Sequence, residues 1–191
     1  MPTLIAGLTL LLCLQQLHAN ATLPPVLIMR YGLGAFRLGA GSIALVALAL
    51  ILVGKTSVEY IYVWLPPVWL HLFVLPLMFV AFLLLAAEFL PSNIRRLTNR
   101  PILWSVVLWS ATHLLVKGDL SGMTLFGGFG LLALLEAISQ RGRVGRQPVR
   151  ALPWINEVHI VAIAGVLFIV LFYLHASLFG VSPSMMSRSY F

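Results

Sequence analysis

A polytopic bundle of about six transmembrane helices is the fold class this sequence predicts, and three observations predict it. Of 191 residues, 61% are hydrophobic and only 9% are charged. A soluble domain carries about a quarter, so this chain has too little charge to cover a surface in water. Its mean hydropathy is +1.02. The apolar runs are long and continuous, without the alternation of a barrel strand. In lipid only helices and closed barrels satisfy the backbone, and a helix crosses the hydrocarbon with about 20 apolar residues.

Taken in order, residues 2–19 form the first span. They carry no Lys or Arg ahead of the apolar core, which a secretory signal peptide has. A retained helix is therefore expected, although Ala19-Asn20-Ala21 loosely resembles a cleavage site. A linker with Pro24-Pro25, Arg30 and Arg37 leads through Gly32, Gly34, Gly39 and Gly41 into a second span at 36–54. Tyr60, Tyr62, Trp64 and Trp69 then mark an interfacial loop, since such rings favour the headgroup level. The third span, 69–90, holds His71 and Pro76 and ends at Glu88 and Pro91.

A short basic loop (Arg95, Arg96, Arg100) opens the fourth span, 101–117, with Pro101 suited to a first helical turn. Lys117-Gly118-Asp119 turns the chain into the fifth, 120–138, where Gly122, Gly127, Gly128 and Gly130 suggest close helix approach. A polar loop with Arg141, Arg143, Arg146 and Arg150 precedes the sixth span, 157–179. There is no internal repeat, and residues 1–191 are expected to form one integral membrane domain.

Loops one, three and five hold nine of the twelve Lys and Arg; the other side has Lys55, Lys117 and Arg188. Cytoplasmic loops carry the basic excess, so both termini are expected outside, in the periplasm of a bacterium with this chain in its inner membrane. That bias also accounts for the net charge of +7, and nucleic acid is not among the expected partners. Those are the lipid bilayer and either other membrane proteins or a small apolar substrate. Cys13 is the single cysteine, which excludes an intramolecular disulfide and c-type haem attachment. No nucleotide-binding loop, HExxH motif or Ser-His-Asp order is present.

An ionisable side chain inside a span is costly and marks a functional site by default. His113 is the clearest case, about 6 Å below the outer end of the fourth helix by residue count. His175 lies at a similar depth in the last helix, and His71 opens the third at the same level. His18 and His159 fall toward the cytoplasmic side. Histidine ligates metals and b-type haem, and Trp109, Phe168 and Phe172 offer apolar walls. The plainer alternative is that these histidines only hydrogen-bond between helices. Glu88, Glu136 and Glu157 lie near the basic ends and read as ion-paired anchors.

From Arg100 to Asp119 the chain reads R-P-I-L-x-x-x-x-L-W-x-x-x-H-L-L-x-x-G-D. Together with Leu17-His18-Ala19, Pro66-Pro67 with Trp69 and His71, Leu125-Phe126-Gly127, and His175 with Leu178, Gly180, Val181 and Pro183, it resembles the NnrU family over nearly its whole length. That family is associated with denitrification, supporting nitrite and nitric oxide reduction, and is related to the haem b-carrying 15-cis-zeta-carotene isomerases.

The resemblance implies haem b with His113 and His18 as iron ligands. Depth instead pairs His113 with His175 or His71, so His18 ranks first on family grounds and His175 second. Two departures stand out. Arg100-Pro101 replaces the family's His-Pro, and Ser110 stands where the isomerases have a ligand-exchanging cysteine, which puts a thiolate-switched mechanism in doubt. Three functions are therefore expected in order. The first is a haem b accessory or redox factor in nitrogen-oxide respiration. The second is a cis–trans isomerase of a carotenoid or other isoprenoid, and the third a non-catalytic subunit of a larger membrane complex.

Overall fold

Proline and glycine place the helix ends here, and the apolar runs fill the helices between them. The computed structural model describes residues 1–19, 23–98, 100–141 and 151–179. Asn20, Ala21, Asn99, Arg143, Arg146, Arg150, Gly180, Val181, Pro183 and Arg188 lie outside the described residues. Within them the chain is helical: α1 (Pro2–Ala19), α2 (Leu23–Thr56), α3 (His71–Phe89), α4 (Pro101–Leu114), α5 (Leu120–Arg141) and α6 (Ile155–Phe179). Short 3-10 turns cover Val68–Leu70 and Asn93–Arg96. No strand occurs among the described residues, only a lone antiparallel bridge between Tyr62 and Asp119.

Among the described residues, four stretches are long and apolar enough to cross a membrane: Pro24–Thr56, Val68–Phe89, Leu120–Ser139 and Ile155–Phe179. α1 and α4 are apolar but shorter. At 1.5 Å per residue, α4 extends about 21 Å, against about 30 Å of hydrocarbon.

The expected linker ahead of residue 36 is itself helical. α2 starts at Leu23 and bends at Gly32, whose φ of 85° and ψ of 156° lie outside the helical region. Glycine adopts positive φ without a Cβ clash, so the chain turns there without leaving helix on either side. Pro24 and Pro25 sit in the first turn, where a missing N–H costs nothing. They act as a helix start rather than a linker.

The chain divides into two compact units, residues 1–63 with 119–128, and 64–118 with the described part of 129–191. In the first unit α1 packs on α2 through glycines. A Cβ on Gly7 would lie 2.7 Å from the Ala47 carbonyl oxygen, and one on Gly54 would collide with the Leu4 backbone. Leu4, Ala47 and Ile51 are buried at this crossing.

In the second unit α3 packs against both α4 and α6. Ala86 and Ala87 meet Ile160 and Ala164 in a buried cluster, small residues allowing close approach. The buried Ser105 hydroxyl donates to the Ala81 carbonyl at 2.7 Å, joining α4 to α3. At one end of this unit the Trp64 indole N–H donates to the Lys117 carbonyl (3.2 Å) and the Trp64 backbone N–H to Gly118 (3.3 Å).

At the opposite end, Glu88 accepts from the Ile102 N–H at 3.2 Å and faces Arg100 at 3.9 Å. Glu157 accepts from the Asn93 N–H at 2.6 Å and the Ser92 hydroxyl at 3.4 Å. The Asn93 amide exchanges two hydrogen bonds with the Leu152 backbone. Glu88 is thus the arginine-paired anchor that was expected. The contacts of Glu157 are instead a backbone N–H and a hydroxyl, which a sequence does not advertise.

Candidate functional site

α3 and α6 pack closely at Ala86, Ala87, Ile160 and Ala164, with Phe82 against that cluster. Phe82, Phe168 and Phe172 also border a half-open cleft of about 60 Å³ in the second unit. Val74, Leu75, Met78 and Phe82 line it from α3, Thr112, His113 and Val116 from α4 and the turn after it, and Phe168, Leu171, Phe172 and His175 from α6. The aromatic wall is ordered by edge-on contacts, with the Phe168 ring 5.9 Å from Phe79 and 6.0 Å from Phe82.

His113 enters from the last turn of α4. Its Nδ1 lies 2.8 Å from the Trp109 carbonyl oxygen. A carbonyl only accepts, so Nδ1 carries the proton and the lone pair of the neutral ring falls on Nε2. The Trp109 ring sits 5.0 Å from the imidazole and is itself held edge-on by Phe129 at 6.0 Å. His175 comes from α6 with its ring 4.9 Å from Phe179. Both imidazoles are half-buried, and both line the same cleft, as counting depth along the helices suggested.

The other candidates are not among the residues lining this cleft. His71 belongs to the same unit but not to the cleft lining; its Nδ1 donates to the Val68 carbonyl at 3.2 Å. His18 belongs to the first unit, exposed, with Nδ1 donating to Leu14 at 2.8 Å and its ring 5.5 Å from Phe36. His159 is exposed on α6. Ser110 is fully buried against Gly130, and its hydroxyl has no hydrogen-bond partner among the described residues. The α3 contribution was missed from sequence, although Val74, Met78 and Phe82 recur at the four-residue spacing of one helix face.

A second cluster of ionisable groups lies in the first unit. Asp119 caps α5, its Oδ2 accepting from the Gly122 N–H at 2.7 Å, the Ser121 hydroxyl at 2.7 Å and the Lys55 ammonium at 2.8 Å. Lys55 also reaches the Ser121 oxygen at 2.6 Å. Burial alone would raise the Asp119 carboxyl, but these hydrogen bonds and the Lys55 charge outweigh it and hold it at about 2, below its ordinary 3.8. A carboxylate so fully engaged is a poor base. Its work is to cap the helix and tie it to α2.

The donor chemistry of the cleft fits a b-type haem. An imidazole whose Nδ1 is hydrogen-bonded to a backbone carbonyl is held as ligating histidines usually are, and a second imidazole lines the same aromatic-walled space. The enclosed volume has room for about two waters, so a macrocycle requires Met78, Phe168 or Phe172 to turn aside, or protrudes through the open side. Among the described residues no three of His, Cys, Asp or Glu come together. A zinc centre with three protein ligands is therefore not built from them.

The family model described as "NnrU protein" matches residues 3–183, which takes in α2 to α6 and all of α1 but Pro2. The chain belongs to the NnrU family. No curated protein and no solved structure matches it. In this NnrU-family chain the cleft is formed around the helix that carries the R-P-I-L and L-W-x-x-x-H positions, with Trp109 and His113 in mutual contact.

Proposed function

We propose that this NnrU-family protein binds haem b through His113 and acts as an accessory or redox factor in nitrite and nitric oxide respiration. The observation that carries the reading is the meeting of His113 and His175 across one aromatic-walled cleft. Haem b held there would supply a one-electron centre. The protein's own contribution is to fix the His113 ring through the Trp109 carbonyl and to keep water away with Phe168, Phe172 and Trp109. His175 is the second ligand favoured by the cleft, and His18 the one favoured by the family.

In this reading the chain crosses the bacterial inner membrane six times, with α1 and α4 as its short spans and both termini outside. Short helices are accommodated by local thinning of the bilayer. Arg95, Arg96 and Arg100 between α3 and α4, and the arginines from Arg141 to Arg150, support that orientation, while Arg30 and Arg37 lie within the N-terminal part of α2. In the second unit, the pairing of the α3 C-terminal end with the α4 and α6 N-terminal ends through Glu88 and Glu157 is the arrangement such a topology requires. A second reading has one observation in its favour: the cleft is almost wholly apolar, which suits an isoprenoid substrate of a cis–trans isomerase. Ser110 in place of cysteine counts against a thiolate step in that chemistry.

The test is a reduced-minus-oxidised visible spectrum of the full-length protein in detergent, beside growth and pigment profiles of a deletion strain. A sharp b-type band with impaired growth on nitrite is expected. A band with altered polyene isomers and normal growth favours the isomerase. No band after expression with haem supplied leaves a structural subunit.

A further inference from the structure

The end of the second unit opposite the histidine cleft holds a larger groove that the haem reading does not use. It measures about 320 Å³ and is lined by Leu90 and Pro91 after α3 and by Asn156, His159, Ala162 and Ile163 on α6. The α6 residues follow the spacing i, i+3, i+6 and i+7, so one face of the helix presents two polar groups and then two apolar ones. The Asn156 amide and the His159 imidazole have no hydrogen bond from the side chain to another described residue. An amide and an imidazole on a helix entering lipid are costly unless something supplies partners.

The neighbouring carboxylate does not supply them. Glu157 is engaged by the Asn93 N–H and the Ser92 hydroxyl, and Arg95 is directed to the Ala87 carbonyl at 2.9 Å. Arg96 and Arg100 remain exposed at this end; Arg100 also faces Glu88. Asn156 and His159 stand toward the α6 N-terminus, Ala162 and Ile163 line the groove further along the helix, and Arg95 and Arg96 follow soon after Pro91 in the chain. That ordering matches an anionic phospholipid, with phosphate oxygens at the polar end and an acyl chain along Ala162 and Ile163. Juxtamembrane arginines attract such headgroups. An imidazole offers an N–H donor whether neutral or protonated, so the site needs no change of charge.

We propose that this groove is a binding site for one anionic phospholipid, held at its phosphate by His159 and Asn156. The proposal requires the chain to lie in the membrane but is independent of haem. Its test is native mass spectrometry of the full-length protein in detergent, titrated with phosphatidylglycerol and, separately, phosphatidylcholine.

The wild type is expected to retain one phosphatidylglycerol in preference to phosphatidylcholine. The double variant Asn156→Leu/His159→Leu loses roughly tenfold in that affinity, the size expected for hydrogen bonds to a charged group. Ile163→Trp, which fills the channel and leaves both donors in place, is expected to weaken it as well. Equal retention of the two lipids by the wild type overturns the proposal. So does wild-type phosphatidylglycerol affinity in both variants. If the double variant fails to fold, the lipid preference of the wild type and the Ile163→Trp result still decide. A visible spectrum unchanged by Ile163→Trp separates this site from the histidine cleft.

Discussion

Asp119 in the first unit and the His113–His175 cleft in the second both put ionisable side chains near helix ends, yet they are built in opposite ways. Around Asp119 the protein supplies the partners itself: a lysine, a serine and a backbone N–H converge on one carboxylate oxygen. Around the cleft the two imidazoles line a space whose remaining walls are almost entirely apolar. A carboxylate met by several polar neighbours holds the fold. Imidazoles that line an apolar cleft, one of them oriented by a backbone carbonyl, border a space for something that enters it. Charge at a membrane helix end is therefore not by itself a sign of function; what surrounds it decides.

The largest effect expected from breaking this contrast is in the first unit. Asp119→Ala leaves a partly buried ammonium without its counter-charge and should lower stability by about 2–4 kcal/mol, read as a fall in the thermal midpoint in detergent. Removing both partners, as Lys55→Met with Asp119→Leu, should recover the part of that loss due to the unpaired charge, while the part due to the lost cap of α5 remains. Gly118→Ala comes next, at about 1–3 kcal/mol, since a Cβ there would run into the Trp64 carbonyl. A midpoint unchanged by Gly118→Ala would mean that this contact is not made.

A smaller effect follows from pH. The Asp119 carboxyl is held at about 2 when folded against 3.8 when free. Its contribution is present in full above about pH 3.8 and is lost as the pH falls toward about 2. Thermal midpoints measured from about pH 5 down to about pH 2.5 should decline more steeply in the wild type than in Asp119→Asn. Parallel curves would contradict the assignment.

The smallest effect belongs to the second unit. Ser110→Ala removes a buried hydroxyl that has no partner among the described residues, so it should leave stability within about 1 kcal/mol of the wild type or raise it. A marked loss would show that this hydroxyl is engaged.

Much of this arrangement is legible in the sequence, and the rest is hidden for physical reasons. The long apolar runs give α3, α5 and α6, because hydrocarbon thickness fixes the length a span needs. Counting residues from Lys117 and Gly180 puts His113 and His175 at one depth, and the structure brings both to one cleft. Pro24-Pro25 and the glycines after them mislead, since proline both ends linkers and starts helices, and only the backbone at Gly32 shows which applies. The hydrogen bonds of Glu157 with Ser92 and Asn93 leave no pattern because their partners are short polar residues more than 60 positions away. That His18 and His113 belong to different compact units depends on which helices pack together, which hydropathy does not encode.

The measurement that bears most directly on the central claim is the reduced-minus-oxidised spectrum of the purified protein beside His113→Ala, His175→Ala and His18→Ala. A b-type band in the wild type that is abolished by His113→Ala and abolished or shifted by His175→Ala is the expected result. A band lost with His18→Ala but untouched by His175→Ala would move the second ligand out of the cleft. A band that survives His113→Ala would contradict the assignment of His113 itself.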